Sequence, residues 1–183
     1  KSKQTKKFLF KLKGGQKIES VLIRNGRRVT VCISTQVGCA VNCDFCATAK
    51  MGFIQNLSQG EIIDQFMQLE KICDVKITNV VFMGMGEPFL NYKNTIGAAH
   101  ILHNPKGINL GAWRITISTA GIINKIKKFT EDKEPFKLAV SLNGTSEEQR
   151  LKTMPINKNQ SLSKLIEASD KYANSSKKKV TFE

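Results

Sequence analysis

The sequence has no apolar run near the roughly 18 residues of a membrane-spanning helix, and no signal peptide is visible. No membrane association is expected. Histidine is scarce: only His100 and His103 occur, in a segment that reads as helix far from the clustered cysteines. Acids are scarce at the start, where Lys1, Lys3, Lys6, Lys7, Lys11, Lys13, Lys17, Arg24, Arg27 and Arg28 face Glu19 alone in the first 28 residues. There is no short-period repeat and no low-complexity linker. The five cysteines, three of them clustered, do not resemble a secreted disulfide framework. A reducing cytoplasm is the expected compartment for thiolate ligands.

What is present suits one globular domain: 183 residues, 40% of them hydrophobic. The net charge is +14, with a second basic run at Lys177–Lys179. Such patches favour phosphate backbones through counterion release, although a solvated Lys-rich surface has the same composition.

The chain is organised around Gly38–Phe53, GCAVNCDFCATAKMGF. Cys39, Cys43 and Cys46 fall at spacing C-x3-C-x2-C. Three thiolates in one loop are a soft-ligand set for an iron–sulfur cluster or for zinc. Structural zinc sites close all four positions, so three ligands without a nearby fourth Cys or His point to an open position and to chemistry.

Residues 7–34 read as antiparallel β. Phe8, Phe10 and Leu12 alternate before Gly14-Gly15, and Val21 and Ile23 precede Asn25-Gly26, a hairpin signal. Val29, Val31 and Ile33 then alternate, which puts Cys32 on the opposite face. Ser58-x-x-Glu61 is a capping box opening a helix to about Ile72, with Ile62, Ile63, Phe66, Met67 and Leu69 on its apolar side. Strands follow at 77–83, 114–118, 136–142 and from Lys179. Helices lie between them, one expected to be capped by Thr145-x-x-Glu148. From Val29 this is βαβαβαβαβ, which implies parallel crossovers. The unusual polar or Gly-rich segments lie just past strand C-termini, the active face of a (β/α) barrel. The reading is α/β: a partial (β/α)6 TIM-like barrel over residues 29–183, preceded by a basic β-hairpin over residues 1–28. The chain starts in a basic tail without an initiator Met and stops mid-strand, so a piece of a longer barrel is expected.

Gly84-Met85-Gly86-Glu87-Pro88 ends one strand. Its glycines allow close backbone approach, and Glu87 suits a ligand ammonium. A tight turn with Met83 and Met85 as core packing reads equally from these residues. Cys32 alone reads as a small buried strand residue, and Glu19 as a lone charge on a hairpin.

Taken together, Cys32-Ile-Ser-Thr-Gln-Val-Gly-Cys39, Cys43, Cys46, Met51-Gly52-Phe53, Gly84–Pro88, Ile117-Ser118-Thr119 and Met154-Pro155-Ile156-Asn157 resemble the radical S-adenosylmethionine (SAM) adenine-2-methyltransferases of 23S rRNA and tRNA, the RlmN type. The resemblance implies a 4Fe–4S cluster on Cys39, Cys43 and Cys46, with SAM on its open iron. It implies that Gly86 and Glu87 bind the methionine end of SAM, and that Ser118, Ser141, Leu142 and Asn143 contact the cofactor. Asn143 stands where relatives often have His. Glu19 matches the proton-accepting carboxylate, and Cys32 the thiol that resolves a covalent enzyme–RNA intermediate as a disulfide. Carbon 2 of adenine is not nucleophilic, so the family routes the methyl group through a methylated cysteine near its C-terminus. None of the five cysteines matches that position, and the chain as given is not expected to turn over. Cys73 matches nothing and reads as structural.

The implied partners are 23S rRNA and tRNA, met by the Lys-rich face of residues 1–28, and an electron donor such as a flavodoxin-type protein. A monomer is expected. Alternatives are the sister activity at carbon 8 of adenine, another radical SAM enzyme, and a non-catalytic metal-bearing RNA-binding module. The last would need a fourth local ligand.

Overall fold

The computed structural model describes residues 4–73, 76–158 and 160–183, so Lys1 and Lys3 of the basic segment lie outside the described residues. Three antiparallel strands open the chain: β1 (Gln4–Lys11), β2 (Lys17–Asn25) and β3 (Arg28–Cys32). Asn25 pairs with Arg28, so the two loop residues are Gly26 and Arg27, one position later than an Asn25-Gly26 turn. Gly26, at φ 61°, supplies the positive φ at the first loop position.

β3 is followed by β4 (Gln36–Gly38), α1 (Ala47–Lys50), β5 (Phe53–Asn56) and α2 (Gln59–Cys73). Then come β6 (Asn79–Phe82), α3 (Tyr92–His103), β7 (Ile115–Thr119), α4 (Ile123–Glu131) and β8 (Lys137–Val140). α5 (Glu147–Thr153), α6 (Leu162–Ser176) and β9 (Thr181–Phe182) complete the order. The main sheet runs β1-β2-β3-β6-β7-β8-β9. From β3 to β9 every neighbouring pair is parallel, as the alternating pattern requires. β4 and β5 form a separate two-stranded sheet that brackets the cysteine loop.

Strand alternation splits the main sheet chemically. One face carries Val31, Ile33, Val80, Phe82, Ile115, Ile117, Leu138 and Val140, all fully buried. They share one core with Ile62, Phe66 and Leu69 of α2, Leu102 of α3, Phe129 of α4 and Tyr172 of α6. Burying each large apolar side chain contributes about 1.5–3 kcal/mol. The pairs Val21–Cys32, Cys32–Val81, Val81–Thr116 and Ser118–Ala139 lie on the other face. That face is smaller in side chain, more polar and partly open, with Cys32, Val81 and Thr116 half-buried. In a partial barrel it is the inner wall.

The capping box at α2 forms as read. Ser58 N donates to Glu61 Oε2 at 2.8 Å, and Glu61 N donates to Ser58 Oγ at 3.3 Å. Its apolar face differs from expectation: Met67 is exposed, while Gln65 is buried. Gln65 Oε1 accepts from Ser20 Oγ (2.7 Å) and Ser34 N (2.8 Å), and its Nε2 donates to Ser34 O (2.9 Å). A buried amide is stable there because its partners are all present. The α5 cap also moves by one residue: Ser146 Oγ accepts from Gln149 N, while Gln149 Oε1 accepts from Thr145 N.

Candidate functional site

The cysteine loop closes where β4 ends and β5 begins. Cys39 N donates to Gly52 O at 3.0 Å. Gly38 has φ 72°, and a Cβ there would fall into the Gly52 carbonyl, so only glycine fits. Cys46 N donates to Cys43 O at 3.1 Å, forming the tight turn between the second and third cysteines. Asp44 N donates to Thr153 O at 2.9 Å and ties the loop to the end of α5. Cys39 and Val41 pack with Ala120 and Met154 in a small second core, against which Cys43 rests.

Above this loop lies a cavity of about 240 Å³. Its wall includes Cys39, Cys43 and Cys46 on one side and Gly86, Glu87, Ser118 and Ser141 on the other. These are the C-terminal ends of β6, β7 and β8, where a parallel sheet places its ligands. Seven of the eleven residues singled out from the sequence therefore share one cavity. Phe45, Met154 and Glu183 also line it.

Glu87 is buried, at 3% exposure. Its Oε1 accepts from Phe89 N (2.9 Å) and its Oε2 from Ala120 N (2.7 Å). Burial pushes its carboxyl up to about 6, against the opposing pull of those N–H groups. Its own N–H donates to Gln36 Oε1 at 2.7 Å, and Gln36 Nε2 donates to Asn56 Oδ1 at 2.8 Å. A chain of hydrogen bonds thus fixes Glu87 to the hairpin that carries the cysteines. Gly86 (φ 96°) is needed for that contact, because a Cβ would collide with Gln36. The glycine serves the approach of the Gln36 segment to the Glu87 loop.

Burial raises the thiols of Cys39 and Cys43, the latter to about 11. Each is raised further by neighbouring thiol and carboxyl groups. Among the described residues, no three His, Cys, Asp or Glu side chains are grouped as the ligands of one metal ion. The three thiols line one cavity without closing on a point. A cluster takes each cysteine on a different iron, whereas zinc needs its ligands around one centre.

Cys32 does not line the cavity. Its thiol hydrogen-bonds the Met83 backbone and lies near Glu183, and both of those residues do line it. Burial pushes the Cys32 thiol up to about 11, and the Glu183 carboxylate adds to the rise. Glu19 lies on the same face of the sheet, two residues along β2 from the Val21–Cys32 pair. Its carboxylate is outside the cavity and pairs with Lys7 Nζ at 2.9 Å. Leu142 and Asn143 are also outside the lining. Their N–H groups donate to Glu183 O at 2.7 and 3.1 Å, and Leu142 O accepts from Arg150 Nη1 at 2.5 Å.

Sequence reading missed Gln36 as the holder of Glu87, Glu183 on the rim, and Arg150. Gln36 lay inside the quoted motif, but its role depends on a fold contact. Arg150 is fully buried in a helix whose other residues are polar but for the exposed Leu151, so no pattern in the sequence marks it.

The radical SAM superfamily model matches residues 33–182. The chain belongs to the radical SAM superfamily. A Leptospira interrogans protein named probable dual-specificity RNA methyltransferase RlmN is 50% identical over 98% of this chain and 52% of its own length. A Thermotoga maritima protein of the same name is 46% identical over 98% of this chain and 52% of its own length. A radical SAM methyltransferase of known crystal structure from Sphaerobacter thermophilus is 42% identical, with a TM-score of 0.93 over 98% of this chain and 53% of that one. The chain spans about half the length of the curated relatives it matches. Radical SAM proteins use a 4Fe–4S cluster and SAM. The donor set fits the cluster: three soft ligands spread over one cavity wall, with a carboxylate opposite.

Proposed function

We propose that the chain is the barrel portion of a methyltransferase that adds a methyl group to carbon 2 of adenine in rRNA and tRNA. The observation that carries this reading is one cavity lined by Cys39, Cys43, Cys46 and Glu87, with the Cys32 thiol beside it through Met83 and Glu183. A cofactor site alone has no need of that further thiol.

In this reading Cys39, Cys43 and Cys46 hold the cluster. When bound, the cluster supplies the electron that cleaves SAM and starts radical chemistry. Glu87 accepts a hydrogen bond from the amino group of the methionine end. Its oxygens accept from two backbone N–H groups and from the Thr119 side chain, which fixes the carboxylate for a charge-assisted bond. Gly86 keeps the loop against Gln36, and Ser118 and Ser141 offer hydroxyls to the rest of the cofactor. Ser118 Oγ is within 3.4 Å of Glu183 Oε2. Leu142 and Asn143 act one step back, through Glu183 and Arg150.

Cys32 resolves the enzyme–RNA adduct, and Glu19 accepts the ring proton once released from Lys7. Both residues occupy the open inner wall, the side from which a base swung out of its stack arrives. The exposed Lys6, Lys7, Lys11, Lys13, Lys17, Arg27 and Arg28 along β1–β3 meet RNA phosphates. The relatives' names support RNA as substrate.

The test uses the longer protein that carries this barrel. RNA treated with it and SAM is digested and analysed by mass spectrometry. A 2-methyladenine product supports the proposal. An 8-methyladenine product, or none alongside an intact cluster, contradicts it. In that protein Cys32→Ala is expected to stop turnover at a covalent protein–RNA species, visible as a band that resists denaturation.

A further inference from the structure

Arg150 stands outside the cavity lining. It is fully buried, and none of the ion pairs among the described residues includes it. Its Nε donates to Asn157 Oδ1 at 3.0 Å, and its Nη1 to Ser141 O at 2.8 Å and Leu142 O at 2.5 Å. Nη2 donates to Ala120 O. The guanidinium thus grips the carbonyls just past β7 and β8. Ala120 and Ser141 both line the cavity, so Arg150 sits directly behind its wall. The same helix holds the cysteine loop through the Thr153–Asp44 hydrogen bond.

Carbonyl dipoles satisfy the donors but do not neutralise the charge. A buried cation without an ionised partner is costly. Glu147 is connected only through Asn157, whose Nδ2 donates to Glu147 Oε2 at 2.6 Å. The other negative neighbour of Arg150 is Cys43, when that thiol is ionised. A 4Fe–4S cluster held by three thiolates is net negative, and reduction adds one more negative charge.

We propose that Arg150 is the fixed counter-cation of the bound cluster: from behind the Ala120–Ser141 wall it stabilises the reduced form and raises the reduction potential. It is a positioning and charge-compensating residue that touches neither substrate nor cofactor. The inference rests on the cluster assignment to Cys39, Cys43 and Cys46.

The test is an EPR-monitored redox titration of the anaerobically reconstituted chain, with iron content and circular dichroism recorded for each variant. Arg150→Met is expected to shift the midpoint to more negative potential, whereas Arg150→Lys stays near wild type. Glu147→Gln, on an exposed residue, removes the carboxylate charge that reaches Arg150 through Asn157 and is expected to shift the midpoint the opposite way. If Arg150→Met does not fold, an upward shift in Glu147→Gln with an unmoved Arg150→Lys supports the inference. A midpoint unmoved in Glu147→Gln, or moved equally by Arg150→Lys and Arg150→Met, overturns it and leaves Arg150 as a strand brace. A wild-type chain that takes up no iron overturns the cluster assignment instead.

Discussion

At the residue scale, Glu87 carries the largest consequence. Its carboxyl is pushed up to about 6 by burial, from an ordinary value of 4.5. Only the ionised form accepts the hydrogen bond of the SAM amino group at full charge-assisted strength. SAM affinity of the reconstituted chain is therefore expected to be flat above pH 7. It should then weaken by about tenfold per pH unit below 6. Glu87→Gln should bind weakly with no such slope. Equilibrium binding measured across pH checks this, and a wild-type curve flat down to pH 5 would rule out the role of Glu87 at the amino group. Glu87 was legible in the sequence because an acid after a glycine-rich strand end is a pattern. Gln36 and Arg150 were not, since their parts depend on contacts across 51 and up to 30 positions of chain. Cys32 was half legible: alternation gave its face, but only the register with Val81 brings it beside Met83.

At the element scale, two helix and hairpin features should separate cleanly. Ser58→Ala removes the α2 cap and should cost about 1 kcal/mol of stability with iron uptake unchanged. Gly38→Ala puts a Cβ into the Gly52 carbonyl at a positive φ and should cost about 1–3 kcal/mol. It should also open the β4–β5 closure and cut iron incorporation severely. Thermal melts with iron assays test both. Equal iron loss in the two variants would mean that the hairpin does not shape the loop. The capping box and the long alternating strands were readable because local chemistry fixes them. β4 and β5 have three and four residues with mixed polarity, too short for any period to show. Met67 and Gln65 exchanged expected places because a buried amide with Ser20 and Ser34 as partners cannot be inferred from helix periodicity.

At the scale of the whole molecule, the sheet has a sealed apolar face and an open polar one, and β1–β3 carry a dense share of the positive charge. A surface with net charge +14 should bind RNA with a strong salt dependence. Replacing Lys6, Lys11 and Lys13 by Gln in the longer protein should flatten the slope of log affinity against log salt by about one per lost phosphate contact. An unchanged slope would move the RNA interface elsewhere. The central claim is narrower: the cysteine loop and Glu87 form one cofactor site. The direct measurement is the absorption and EPR spectrum of the anaerobically reconstituted chain with and without SAM. The account predicts a brown 4Fe–4S protein whose reduced EPR signal changes on adding SAM, with the colour lost in Cys39→Ser, Cys43→Ser or Cys46→Ser. A colourless protein holding one zinc, or a cluster whose signal ignores SAM, would contradict it.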